Sequence, residues 1–160
     1  MISKNDSRKI LAIFDFDGTI TLRDSLLDFT RYAVGERKYL FGILMLMPFF
    51  LLYAIKVIPN YILKEKFISF YFKGYSEEFF NTLAMNYSLE KIDEIVKPKA
   101  LNRLVWHREQ NHEVVIVSAS IESWLKGWSN KNNCKIIGTQ LEFEKGILTG
   151  RLSSKNCFGI

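Results

Sequence analysis

The chain has 160 residues, 48% of them hydrophobic and 24% charged, which excludes an extended disordered polymer and suits one domain, or a core with one insertion. Its net charge of +5 and pI near 9.2 suit anionic partners such as phosphorylated metabolites or an anionic lipid surface; Trp106, Trp124 and Trp128 lack the interleaved basic cluster of a nucleic-acid binder. Cys134 and Cys157 form no CxxC pair or metal-ligand cluster and are expected to be reduced, and residues 1–9 are polar with no secretory signal, so a cytoplasmic location is expected.

Residues 10–15 read as a buried strand, a continuous apolar run ending in Asp15, with Asp17 two residues on and Gly18 permitting a turn. Residues 22–33 have a helical pattern that Asp24 or Ser25 could cap. Residues 39–55 contain no charge and carry Pro48 in their middle. Residues 61–72 and 77–96 read as helices separated by Gly74, and residues 100–109 as another with Leu101, Leu104 and Val105 on one face. Residues 114–118 form a second apolar strand, after which Ser118-Ala119-Ser120 opens a helix through Ser129 with Ser120 as its cap. Residues 135–137 are a third short strand, and residues 140–152 alternate around Glu144-Lys145-Gly146 as a hairpin. This alternation predicts an α/β fold, an open parallel sheet with helical crossovers and a long helical insertion after the first strand.

Ligands of such sheets sit beyond the carboxyl ends of the strands, where Asp15 and Asp17 fall. Two carboxylates one residue apart can divide labour, one as nucleophile and the other as acid and then base. A divalent cation would relieve their repulsion, and Ser118 at the second strand end offers a hydroxyl and nearby amides to an anion. Phosphate is the ligand this set of groups suits. An Asp-Gly pair is also a common turn signal, and a serine before a helix is often only a cap. His107 and His112 have no neighbours at metal-ligand spacing and are expected at the surface. Arg23 and Arg31 could reach substrate from the insertion or simply be exposed helix arginines.

Asp15-Phe16-Asp17-Gly18-Thr19 after an apolar strand, with Val115-Ile116-Val117-Ser118 about a hundred residues on, resembles the haloacid dehalogenase superfamily of phosphotransferases. The insertion, the Asp24-Ser25 pair, the Glu144 to Gly150 hairpin and Asn156-Cys157-Phe158-Gly159 resemble its phosphoserine phosphatase-like branch, subfamily IB. The resemblance implies a Rossmann-like core from residues 1–22 and 98–160 and an all-helical cap from residues 23–97. It implies an Mg²⁺-dependent phosphomonoester hydrolase with Asp15 as the nucleophile that forms an aspartyl-phosphate and Asp17 as general acid and base. Mg²⁺ would be held by the Asp15 carboxylate and the Asp17 backbone carbonyl, and the phosphoryl group by Ser118, Ala119 and Thr19. The same branch implies a phosphate-binding lysine and an aspartate pair after the Asn156 motif. Neither precedes Ile160, and Lys155 lies on the wrong side of that motif, so a longer natural chain is expected. A second reading is a catalytically incomplete remnant acting only as a binding or membrane-associated module.

Residues 39–55 bear on the substrate. If Asp15 and Ser118 meet, the segment between them cannot cross a membrane once, and Arg37, Lys38, Lys56, Lys64 and Lys66 put positive charge at both of its ends. The expectation is a helical hairpin bent near Pro48 that touches the inner face of a membrane through residues 39–63, or a cap helix that pairs with another copy in a homo-oligomer. Enzymes similar to phosphatidylglycerophosphate phosphatase carry a hydrophobic segment in this place, so the substrate is expected to be a phospholipid head-group phosphate or a small phosphorylated metabolite such as phosphoserine.

Overall fold

The structure, a computed structural model, describes residues 10–154. Residues 1–9, Lys155, Cys157 and the motif beginning at Asn156 lie outside the described residues. Three strands, β1 (Leu11–Phe14), β2 (Glu113–Ile121) and β3 (Lys135–Thr139), form a parallel sheet in the order β1-β2-β3. Leu11 pairs with Glu113 and Phe14 with Ile116, which fixes the ends of β1 and β2 side by side. Ala12, Val114 and Ile116 are buried in the core. Leu11, Ile13 and Ile137 are 52%, 62% and 52% exposed, so among the described residues that side of the sheet is uncovered, where parallel sheets are ordinarily buried on both faces.

The described residues also form six α-helices. Helix α1 (Ser25–Val34) begins three residues later than its sequence pattern, because Thr21 bridges to Val96 and the Leu22 amide donates to the Ile95 carbonyl. Asp24 caps it, accepting from the Leu26 and Leu27 amides at 3.0 and 3.1 Å. Helix α2 (Glu36–Ala54) continues through Pro48, so the helical hairpin expected to bend there is corrected. The chain reverses instead between α2 and α3 (Asn60–Phe72), where Lys56 takes a φ of 60° and Pro59 precedes the new helix. A helix-interior proline removes one hydrogen bond at a cost of about 3 kcal/mol. Packing on both sides of Pro48 offsets it: Leu46 is buried, Gly42 lies against Tyr71, and the Phe50 ring meets Phe67 edge-on at 6.4 Å.

Helix α4 (Glu77–Glu90) is shorter than expected and gives way to a 3₁₀ turn, Ile92–Glu94. Asp93 in that turn accepts from Trp128 Nε1 at 2.7 Å and pairs with Lys131 at 2.6 Å, which holds the chain off the helical path. Helix α5 (Pro98–Glu109) leads into β2, and α6 (Glu122–Lys131) joins β2 to β3. The hairpin of β4 (Leu141–Glu144) and β5 (Ile147–Leu152) turns at Lys145 and Gly146, with φ of 50° and 74°. It braces α3: Ser69 Oγ donates to the Gly150 carbonyl at 3.2 Å, and the Leu152 amide to Glu65 at 3.0 Å. Phe29 of α1 sits at the middle of an aromatic core. It stacks on Trp124 at 4.6 Å and touches Phe72, Phe80 and Tyr87 at 5.3–5.8 Å.

Candidate active site

Beyond β1 the chain turns around Phe16, a fully buried side chain whose carbonyl accepts from the amides of Thr19, Ile20 and Thr21 at 2.8–3.2 Å. Gly18 takes a φ of 75°, a left-handed conformation that glycine adopts without strain, and the backbone doubles back there. This turn leaves Asp15 exposed while its carboxylate is held at both oxygens. Oδ1 accepts from the Phe16 amide at 2.7 Å and Oδ2 from Thr19 Oγ1 at 3.2 Å. Thr19 therefore orients Asp15 and is not among the residues lining the cavity.

Asp17 faces a different environment. Its Oδ1 accepts from the Ser25 amide at 2.7 Å, and its Oδ2 from the hydroxyls of Ser25 at 3.2 Å and of Ser120. The hydroxyls of Ser25 and Ser120 lie 2.8 Å apart, and Trp124 Nε1 reaches Ser25 Oγ at 3.2 Å. An indole N–H can only donate, so Ser25 Oγ accepts from Trp124, and the two neighbouring hydroxyls of Ser25 and Ser120 share Asp17 Oδ2 as an acceptor. Burial pushes the Asp17 carboxyl up to about 6, against the hydrogen bonds from Ser120 and Ser25, which lower it.

Ser120 was expected to cap a helix; instead β2 continues through Ile121 and α6 starts at Glu122 with no side-chain cap. The pairing with β3 shifts between Val117 and Ile121, from Val117 opposite Ile137 to Ile121 opposite Thr139. Such a bulge re-aims side chains at a strand end. Here it brings Ser118, Ala119 and Ser120 to the cavity, with the Ser120 amide donating to Ser118 Oγ at 3.1 Å. The Ala119 carbonyl accepts from Thr139 Oγ1 at 2.8 Å and from Lys64 Nζ of α3 at 2.5 Å.

The resulting cavity of about 630 Å³ brings Asp15, Asp17, Ser118 and Ala119 together, as the sequence predicts. Its other walls include Asp24, Leu26 and Leu27 from the α1 end and Phe50, Leu63 and Phe67 from α2 and α3. Sequence reasoning missed the attachment of Ser25 and Ser120 to Asp17, and of Trp124 to Ser25, and it read Lys64 only as a flanking charge where the structure has it line the cavity. The Asp24-Ser25 pair was the one available signal.

Hard oxygen donors suit Mg²⁺, and the exposed Asp15 carboxylate and the Asp17 carbonyl, to which no described residue donates, are such donors. Among the described residues no three His, Cys, Asp or Glu side chains converge as a metal cluster, so these two groups fit part of a metal's shell. His107 and His112 are half-buried and face each other with their Nδ1 atoms 3.0 Å apart, where separate surface positions were expected. His112 follows the turn that ends α5, which folds it back on His107. Arg23 pairs with Asp28 at 3.7 Å and Arg31 with Glu36, and neither lines the cavity. Trp124 and Trp128 are core residues, and Trp106 lies under the Arg103 guanidinium at 4.2 Å.

Residues 12–160 match the family described as haloacid dehalogenase-like hydrolase. Among curated proteins the chain is 28% identical over 152 residues to Protein CicA of Caulobacter vibrioides, an alignment covering 92% of this chain and 67% of that protein. Among solved structures it is similar to a protein of unknown function from Bordetella pertussis Tohama I, with TM-score 0.75, 19% identity, and coverage of 94% of this chain and 69% of that one. It is also similar to a phosphoserine phosphatase solved as its phospho-aspartyl intermediate analogue, with TM-score 0.57, 18% identity, and coverage of 90% and 62%.

Proposed function

The chain belongs to the haloacid dehalogenase-like hydrolases, and on that premise we propose that it is a phosphatase of phosphomonoesters working through an aspartyl-phosphate on Asp15. The observation that carries this reading is the contrast between the two carboxylates of one cavity: Asp15 is exposed with its oxygens oriented, whereas Asp17 is held near the neutral range by burial. In the first step an Asp15 oxygen attacks phosphorus, the bond to the leaving oxygen breaks, and Asp17 gives that oxygen its proton. In the second, Asp17, now ionised, takes a proton from water as the water oxygen attacks phosphorus. The bond to Asp15 breaks and phosphate leaves. A carboxyl titrating close to working pH can serve in both directions. Mg²⁺, held by the Asp15 carboxylate and the Asp17 carbonyl, would supply charge neutralisation at the phosphoryl oxygens. Ser118 and the amides around Ala119 would bind those oxygens. Asp15→Asn in the full-length protein is expected to abolish Mg²⁺-dependent hydrolysis of a phosphomonoester. Retained turnover would contradict the mechanism, and absence of turnover from the unsubstituted protein would favour a binding-only module.

The apolar side of the cavity supports a phospholipid head-group phosphate over a small metabolite. Phe50, Leu63 and Phe67 line it beside Leu26 and Leu27, and Phe50 belongs to α2. Leu40, Leu44, Met47, Leu51 and Ile55 form an outward stripe on that helix and its end, each 43–68% exposed. Exposed Arg37 and Lys38 stand at its start, and exposed Lys56 just beyond its end. An apolar helix with cationic ends suits peripheral seating on an anionic bilayer, at the cytoplasmic face if Asp15 acts there.

A further inference from the structure

His107 and His112 form a side-chain cluster that the phosphatase chemistry leaves unused. Their Nδ1 atoms face each other at 3.0 Å, although five residues separate them in sequence. The turn that ends α5 brings them together. There the Asn111 amide donates to the Arg108 carbonyl at 2.9 Å, Asn111 takes a φ of 57°, and the His112 amide donates to the His107 carbonyl at 3.0 Å. The His107 ring is seated near-perpendicular to Phe14 and Trp106, with centroids 5.6 and 4.8 Å away, and the His112 ring likewise to Trp106 at 5.7 Å. Backbone and ring packing thus hold both imidazoles in place before any ligand arrives.

The contact between them is the one side-chain hydrogen bond that either ring makes among the described residues, so neither Nε2 is committed to a protein partner. Each ring can therefore carry its proton on Nε2 and present a lone pair at Nδ1. Two such lone pairs 3.0 Å apart repel unless they share a cation, either a proton or a metal ion. Two nitrogens bound to one ion at about 2.0–2.1 Å, with angles between octahedral and tetrahedral, lie roughly 2.9–3.4 Å apart, which the pair matches. Burial, then the Arg103 guanidinium and the His112 ring, hold the His107 imidazole below its ordinary value, so at neutral pH it is in the uncharged form that binds metal. Arg103 itself is engaged over the Trp106 face at 4.2 Å. His112 also borders an open cleft of about 430 Å³ with Asn111 and Glu113, which leaves room for water to complete a shell; Arg108, in the same cleft, donates to the Asn132 carbonyl at 2.7 Å.

We propose that His107 and His112 chelate a divalent transition-metal ion of the Zn²⁺, Ni²⁺ or Cu²⁺ class, at a site separate from the cavity of Asp15 and Asp17. Imidazole nitrogen suits these ions, whereas Mg²⁺ prefers oxygen. The pair stands at the start of β2 and shares no residue with the cavity. Two protein ligands leave the remaining positions to water, so the ion would be exchangeable and would clamp the turn between α5 and β2, whether or not Asp15 is a nucleophile.

Zn²⁺ binding to the untagged full-length protein is measured by titration calorimetry with Mg²⁺ at saturation, and by the imidazole NMR signals of His107 and His112. One Zn²⁺ is expected to bind and to shift both sets of signals together. His107→Gln and His112→Gln each remove one ligand and are each expected to weaken binding by at least about 10-fold, the least that loss of an outer-shell partner costs, while Asp15→Asn leaves it intact. Zn²⁺ should also raise the Tm of wild type and of Asp15→Asn, but not of the two histidine variants. Absence of Zn²⁺ binding to wild type, or binding that survives in both histidine variants, would overturn the site and leave a proton-sharing imidazole pair. Binding abolished by Asp15→Asn would equally overturn it, by placing the ion in the catalytic cavity.

Discussion

Asp17 carries a stability cost that follows from its burial. Its carboxyl is pushed from the ordinary 3.8 up to about 6, so between those values the folded chain keeps a proton that the unfolded chain releases. Stability is therefore fully present below the unfolded value and lost as pH rises through about 6, by at most about 3 kcal/mol for a shift of about two units. Asp17→Asn removes this loss while keeping an acceptor for the Ser25 amide. In metal-free urea unfolding, its stability relative to wild type is expected to increase between pH 4 and pH 7, by about 1–3 kcal/mol, while turnover disappears. An equal pH dependence in the two proteins would contradict the proton placement. Ser120→Ala deletes a hydrogen bond that lowers the Asp17 value, so the basic limb of kcat/KM should move to higher pH, and an unmoved limb would detach Ser120 from the chemistry. Asp15 and Asp17 were legible in the sequence because an apolar strand running into two carboxylates has few structural uses. Ser120 was misread because its partner is 103 residues away, and a serine near a helix start looks the same as a cap.

Helix α2 shows how packing overrides a local signal. Pro48 predicts a hairpin bend, yet the helix continues because Gly42 and Phe50 hold it against α3 on both sides of the proline, Leu46 is buried, and Tyr71 donates to the Tyr39 carbonyl at 2.6 Å. None of those contacts can be read from the segment alone. Pro48→Ala should restore a helical hydrogen bond and stabilise the protein by about 1–3 kcal/mol, roughly 2–4 °C in Tm per kcal/mol for a chain of this size. A fall in Tm would indicate that the proline is needed for the path. Gly42→Val should act in the opposite sense, because a Cβ there would overlap the Tyr71 and Phe70 rings. Overpacking of this kind costs about 1–3 kcal/mol, and an unchanged unfolding midpoint would mean that α2 is not seated on α3 as described. The β2 bulge was equally hidden: the apolar run identifies the strand, but only pairing with β3 shows that two extra residues lift Ser118 to Ser120 toward the cavity.

At the scale of the whole molecule, the parallel core and helical insertion follow from the order of apolar runs, whereas their surfaces do not. The outward stripe of α2 and the uncovered Leu11, Ile13 and Ile137 are apolar by composition, and only the packing shows that they face outward among the described residues. If α2 seats the protein on lipid, sedimentation with anionic vesicles should fall sharply in the Leu44→Glu, Leu51→Glu double variant, while activity on a soluble phosphomonoester persists. Vesicle binding unchanged by the pair would refute the lipid seat, and a dimer dissociated by it would assign the stripe to a second copy. The catalytic account rests on a covalent bond to one side chain. Acid quenching of the full-length protein during turnover of a ³²P-labelled phosphomonoester, followed by peptide mapping, is predicted to place base-labile label on Asp15 and to find none in Asp15→Asn. Turnover without label on Asp15, or label on another residue, would contradict it.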